Sequence, residues 1–157
     1  MSESESENAL RKNINAARTI VQTVKSTLGP LGRDKMMVDM SGDALVTNDG
    51  ATILRELDTA HPGAKMIIEC SKTQEIMCHD GTTSAVVLAG ELLSNSESLL
   101  NKGLHPNVVC RGYNDAAQMA VDYLMDVLSD DNTGYSYVSK DQTDGTVIGS
   151  IARTAIT

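Results

Sequence analysis

The stretch from Ile76 to Leu93, IMCHDGTTSAVVLAGELL, decides how the rest of the chain is read. One carboxylate, one glycine and three hydroxyls (Asp80, Gly81, Thr82, Thr83, Ser84) stand immediately before a long apolar run. The pattern predicts a helix from Asp80 to about Asn101, with Gly103 at its C-terminal end. Residue types alone leave two readings of the helix start. In one, Asp80 is simply the N-cap carboxylate. In the other, the first N–H groups of the helix, which lack intrahelical partners and carry partial positive charge, bind an anion such as phosphate. Gly81 then lets a ligand approach the backbone, and Thr82, Thr83 and Ser84 add hydroxyl donors. Asp80 would repel a phosphate by itself. It becomes sensible with a Mg²⁺ between them, because that ion takes one or two carboxylates together with phosphate oxygens and water.

Working outward, Asn8 to Leu28 forms one helix, with Leu10, Ile14, Ala17, Val21, Val24 and Leu28 on one stripe. GPLG, Gly29 to Gly32, ends it. Met36 to Val38 and Ala44 to Val46 read as the two strands of a β-hairpin around Ser41-Gly42-Asp43. Asp49-Gly50 opens a short helix with Ile53, Leu54 and Leu57. Pro62 suits the first turn of another helix that runs to about Met77, with Met66, Ile67, Cys70 and Ile76 as candidate core. Pro106 starts the last long helix, whose stripe is Val109, Tyr113, Ala117, Ala120, Leu124 and Val127. Asp130 to Gly145 is a polar loop. Val147 to Thr157 regains apolar character without a terminator, so the chain reads as cut rather than finished. The class is mainly α: a helical bundle of five helices with one β-hairpin.

The 157 residues suffice for one domain with a real core, and 41% hydrophobic against 22% charged is globular composition. Phe and Trp are absent, so Leu, Ile, Val, Ala and eight Met must fill the core. That favours helix packing over a sandwich with aromatic layers, with Met as flexible filler. A net charge of −8 and the lack of a basic run argue against a nucleic-acid surface. Cys70, Cys78 and Cys110 are odd in number and form no CxxC, which points to a reducing compartment, with Cys70 and Cys110 as small buried apolar groups. His61, His79 and His105 have no metal-ligand spacing and read as ordinary helix and loop residues. No signal peptide or membrane span is visible. MSESESE, residues 1–7, reads as a disordered acidic tail.

Three corners share one grammar of small residues at helix ends: TLGPLG (Thr27 to Gly32), TNDGAT (Thr47 to Thr52) and HDGTTS (His79 to Ser84). Each alone is explained as a turn or a cap. Together they are the ingredients of a nucleotide site. Asp49 is a second carboxylate at a helix start, and phosphoryl transfer to water needs a group that orients the water. Gly29 and Gly32 supply a loop able to close over phosphates. No GxxxxGK[ST] loop is present, so a Walker-type site is excluded.

At these residues the chain resembles a known family. TLGPLGRDKMMVD, LVTNDGATILRELDTAHPGAKMIIE and DGTTSAVVLAGELL are similar, in order and spacing, to the amino-terminal part of a group II chaperonin subunit, the archaeal thermosome and eukaryotic cytosolic type. The resemblance covers about Asn8 to Asp130, and GSIARTAIT looks like the start of the crossing into an intermediate domain. It implies the first half of a mostly helical equatorial ATPase domain over 8–145, and the beginning of the crossing over 146–157. It further implies ATP/ADP and Mg²⁺ as cofactors, a cytoplasmic double ring of like or unlike chaperonin subunits, and unfolded protein clients held through domains outside this chain. The hairpin resembles the stem-loop that pairs with a neighbouring subunit. By matching position, Asp80 resembles the Mg²⁺ ligand. Thr27, Leu28, Gly29 and Pro30 resemble the loop against the nucleotide. Gly81, Thr82, Thr83 and Ser84 resemble the phosphate-binding helix start. Asp49 with Gly50 resembles the carboxylate that positions the attacking water, and Thr157 matches a residue near the nucleotide.

Two features depart from the family pattern: EIMC, Glu75 to Cys78, replaces what is typically an acidic stretch, and His79 stands where the family has Gly before Asp-Gly-Thr-Thr. A non-glycine residue there is strained if the position needs positive φ. Two alternatives therefore stand beside an active ATPase. One is a nucleotide-weak subunit that serves ring assembly. The other is a truncated chaperonin-like interaction module.

Overall fold

The computed structural model describes residues 3–129, 148–149 and 152–153, with side chains described from Asn8 to Val127 and at the last four positions. It divides into two compact units, Met1–Lys102 and Gly103–Thr157. The first holds α1 (Glu3–Lys25), β1 (Lys35–Val38), β2 (Ala44–Thr47), α2 (Gly50–Glu56), α3 (Pro62–Cys78) and α4 (Thr82–Asn101). In the second, α5 runs from Pro106 to Ser129. The mainly α class with a single hairpin is as expected. The polar stretch from Asp130 to Gly145 lies outside the described residues, as does Thr157.

In the first unit α1 packs on both α3 and α4, and those two pack on each other. The stripe read from α1 is the reason. Ile14, Ala17, Val21 and Val24 are all buried, and they meet Ile53 and Leu54 of α2, Ala64 and Ile67 of α3 and Val86 of α4 in one cluster. Burying an Ile, Leu or Val side chain contributes roughly 1.5–3 kcal/mol, so this cluster is the main attractive term. Val21 sits against Gly90 so closely that a Cβ on Gly90 would lie 2.9 Å from Val21 Cβ. That glycine sets how near α1 and α4 can come. Two ion pairs flank the seam: Arg18–Glu97 at 2.6 Å, with Arg18 Nε also donating to Ser94 Oγ, and Lys25–Glu91 at 2.6 Å.

The hairpin pairs Met36 with Val46 and Met37 with Leu45 in antiparallel register. Asp39 builds its turn: its Oδ1 accepts from the N–H groups of Ser41 (2.8 Å) and Asp43 (2.9 Å).

Several expectations need correction. The helix at the N-terminus begins at Glu3 rather than Asn8, so most of the segment read as a disordered tail is helical. Methionine is not the core filler: Met36, Met40, Met66 and Met77 are exposed, and Met37 only packs partly on the cluster. Small and β-branched side chains fill the seams because the helices approach too closely for longer ones. Ile76 is exposed, one turn from the end of α3. Cys110 is exposed, and Cys70 only half-buried. The stripe expected on α5 is likewise mostly open: Val109 is buried and Tyr113 and Val127 are half-buried, but Ala117, Ala120 and Leu124 are exposed.

Candidate functional site

The start of α4 leaves its donors open. Gly81 takes the N-cap position in the left-handed region (φ 71°), and no side chain caps the helix. The first intrahelical bond runs from Ala85 N–H to Gly81 O, so the N–H groups of Thr82, Thr83 and Ser84 precede the helical ladder. Asp80 does not cap. Its Oδ1 accepts instead from the adjacent Gly81 N–H at 2.7 Å. The bland reading of Asp80 is thereby removed, while its carboxylate stays at the mouth of an uncapped helix.

At the second corner the cap is real. Asp49 is the N-cap of α2, and its Oδ2 accepts from Thr52 N–H (2.8 Å) and Thr52 Oγ1–H (2.5 Å). Asp49 N–H donates to Thr47 Oγ1 at 3.1 Å, which fixes the entry of the chain. Partial burial pushes the Asp49 carboxyl up. The Thr52 side chain and N–H, the Ala51 N–H and the Arg55 charge outweigh this and hold it below its ordinary value.

The third corner is a tight loop. Thr27 is buried, with its N–H and Oγ1–H both donating to Val24 O. Gly32 N–H donates to Gly29 O at 2.8 Å, and Arg33 N–H donates to Ser26 O at 2.9 Å. A Cβ on Gly32 would lie 2.8 Å from the carbonyl carbon of Thr27, so only glycine fits that fold-back.

The corners converge. A cleft of about 210 Å³ is lined by Leu28, Asn48, Asp49, Gly50, Asp80 and the run Gly81–Ser84. Eight of these nine residues are candidates from the sequence; Asn48 is not, although it directly precedes Asp49 in TNDGAT. Thr27, Gly29 and Pro30 shape the loop that carries Leu28 but do not line the cleft themselves. The α2 and α4 starts meet because Gly50 has no side chain: a Cβ there would lie 3.1 Å from Thr83 Cβ. Behind the cleft, α3 ties the corners together. Arg55 makes two bonds to the Glu75 carboxylate, at 2.9 and 3.1 Å, and Gln74 Nε2–H donates to Asp80 O at 2.9 Å. Neither link was legible in the sequence, since both depend on which face α3 turns inward.

His79 joins α3 to this corner. It adopts φ 55° and ψ 15°, the one non-glycine residue with positive φ among the described residues, and its N–H donates to Glu75 O. The position at which the resemblance expects glycine thus takes the left-handed conformation.

Chemically, the cleft offers two carboxylates on adjoining helix starts, three unbonded backbone donors and three hydroxyls. That donor set suits a hard divalent cation together with phosphate oxygens. A carboxylate alone would exclude the phosphate, and the helix start alone would have no use for Asp80.

Comparison with known proteins identifies the family. The family model described as the TCP-1/cpn60 chaperonin family matches residues 20–157. Thermosome subunit alpha of Archaeoglobus fulgidus is 53% identical over 149 residues, which is 95% of this chain and 26% of that protein. Thermosome subunit alpha of Thermoplasma acidophilum is 52% identical over 129 residues, covering 80% of this chain and 24% of that protein. A thermosome subunit of Methanothermococcus thermolithotrophicus is 56% identical over 127 residues, covering 78% and 23%. The chain thus spans about a quarter of the length of these relatives. With a family model over most of the chain and archaeal relatives at about half identity, the chain belongs to the TCP-1/cpn60 chaperonin family, as an amino-terminal equatorial segment of the group II type.

Proposed function

We propose that this chain carries the metal- and phosphate-binding part of the ATPase site of a chaperonin subunit. The observation that carries the reading is the convergence of three sequence-distant corners on one cleft at the uncapped start of α4. In this reading Asp80 holds Mg²⁺, and the backbone and hydroxyl groups of Thr82, Thr83 and Ser84 receive the phosphates of ATP or ADP. Gly81 and Gly50 let them come close to the backbone. The loop of Thr27, Leu28, Gly29 and Pro30 borders the nucleotide, and Thr157 would lie near it. Mg²⁺, when bound, would offset phosphate charge. Asp49 would orient the attacking water: its carboxyl, held below its ordinary value by Thr52, Ala51 and Arg55, is ionised at neutral pH and can accept a hydrogen bond from that water.

The complete subunit would use this hydrolysis to drive folding of client proteins inside a cytoplasmic double ring. Relatives named thermosome subunit alpha and thermosome subunit beta support an assembly of like or unlike subunits. Among the described residues no helix is long and apolar enough to cross a membrane. A second reading, a subunit that assembles but hydrolyses weakly, is favoured by one observation, the strained His79 beside Asp80.

Titration calorimetry of this chain and of Asp80→Ala with Mg-ATP tests the proposal. Binding by the parent and its loss in Asp80→Ala is the expected result. Equal binding by both would remove Asp80 from the metal role, and binding by neither would refute a site built from these residues alone.

A further inference from the structure

Asp80 and Gly81 share one peptide unit, and both of its polar ends are held. The Asp80 carbonyl accepts from Gln74 Nε2–H at 2.9 Å, and the Gly81 N–H donates to Asp80 Oδ1 at 2.7 Å. The second bond ties the Asp80 carboxylate to the orientation of that peptide. The first ties the peptide to α3, one turn before that helix ends. This matters because the connection between α3 and α4 is only His79, Asp80 and Gly81, with both outer residues in the left-handed region. Such a link is short yet has no repeating backbone bonds of its own. Gln74 is half-buried, and its Nε2 also lies 3.5 Å from where a Cβ on Gly81 would stand, so the amide fills the concave side of the corner.

We infer that Gln74 is a positioning residue for the metal-binding carboxylate: its amide clamps the Asp80–Gly81 peptide and thereby aims Asp80 at the start of α4. The inference rests on the nucleotide-site reading above. Gln74 does not line the cleft, so it acts through Asp80 rather than on a ligand. Removing its donor frees the peptide to rotate and turns the carboxylate away, while the uncapped N–H groups of α4 stay where they are. The two halves of nucleotide affinity should therefore separate. The part that depends on Mg²⁺ weakens, and the part that depends on the helix start does not.

The test uses Gln74→Met, which keeps the length of the side chain without the amide, and Gln74→Glu, which keeps polarity but offers no donor when ionised. ATP affinity is measured with Mg²⁺ and with chelator, and amide hydrogen exchange at Gly81 is followed in the nucleotide-free chain. Both variants should lose about tenfold in affinity with Mg²⁺, the size of one hydrogen bond, and stay within about twofold with chelator. Gly81 exchange should quicken by about tenfold. An equal loss under both conditions would mean a general structural role and overturn the inference. So would Gly81 exchange unchanged in both variants. If the parent binds Mg-ATP and both variants bind equally well, the inference alone falls. If the parent itself does not bind, the site reading falls and takes the inference with it.

Discussion

Gly50, the first residue of α2, and Thr83, in the first turn of α4, touch so closely that no side chain fits between them. A Cβ on Gly50 would lie 3.1 Å from Thr83 Cβ and nearer still to its Oγ1. This contact joins the Asp49 corner to the Asp80 corner and closes one wall of the cleft. Gly50→Ala is therefore expected to destabilise the chain by about 1–3 kcal/mol, although alanine is the better helix former by roughly 0.5–1 kcal/mol. Thr83→Ala should absorb much of that loss, giving a double-mutant coupling that denaturant titration can read. A more stable Gly50→Ala would show that the two helix starts are not in contact.

The seam between α1 and α4 makes a similar demand at a site without polar chemistry. A Cβ on Gly90 would come within 2.8 Å of Val21 Cγ1. Gly90→Ala should cost about 1–3 kcal/mol through overpacking, and Val21→Ala in the same chain should recover part of it. Additive losses in the double variant, read from thermal or chemical unfolding, would contradict this packing.

Asp49 ties stability to pH. Its folded carboxyl titrates below the ordinary value of 3.8, so the folded state binds fewer protons than the unfolded state as pH falls through that region. The stabilisation is present above 3.8 and is lost as pH drops toward the folded value. Asparagine caps nearly as well but cannot ionise. Asp49→Asn should thus be less stable than the parent near neutral pH, and the difference should shrink toward zero in acid. Unfolding temperatures of both chains across that range check it. A gap that grows in acid would reverse the assignment.

How much of this was legible beforehand follows from which interactions are local. The α1 stripe and the two hairpin strands are written in spacings of a few residues: the structure forms both strands and buries Ile14, Ala17, Val21 and Val24, but it ends α1 at Lys25 and leaves Leu28 exposed. What was not legible depends on distant approach. Asp80 looked like a cap, yet Gly81 takes that position, because Asp80 turns back to its neighbour's N–H. Met66 and Ile76 fit an apolar pattern on α3, but the inward face is set by Ala64, Ile67 and Ile68 packing under α1. Gln74 and Arg55 gave no signal, since a polar residue on a helix reads as solvated until its partner is known.

Ser71 illustrates the same limit inside the core. It is 1% exposed on α3, and among the described residues its Oγ has no hydrogen-bond partner. An unpaired buried hydroxyl costs about 1–3 kcal/mol, whereas a methyl group in the same space costs nothing to desolvate. Ser71→Ala should stabilise the chain by about 1 kcal/mol, seen as a higher denaturant midpoint with unchanged slope. A clear loss of stability would mean that the hydroxyl does have a partner.

His79 brings strain directly to the site. With φ 55° it holds a conformation that costs an L-residue about 1–2 kcal/mol, and histidine tolerates it better than most. Glycine removes the strain but gains freedom in the unfolded chain, which takes back roughly 0.4–1 kcal/mol. His79→Gly should therefore raise stability only slightly over the parent. The sharper comparison is with His79→Ala, which keeps the strain and loses the imidazole; glycine should exceed alanine there by about 1 kcal/mol, or about 3 °C in unfolding temperature for a chain of this size. Equal stability of the two variants would mean that the left-handed turn is not imposed by the α3–α4 corner. If the strain also disturbs Asp80, His79→Gly should tighten Mg-ATP binding while His79→Ala does not. Tighter binding in both variants would instead assign the effect to the bulk of the imidazole ring beside the carboxylate.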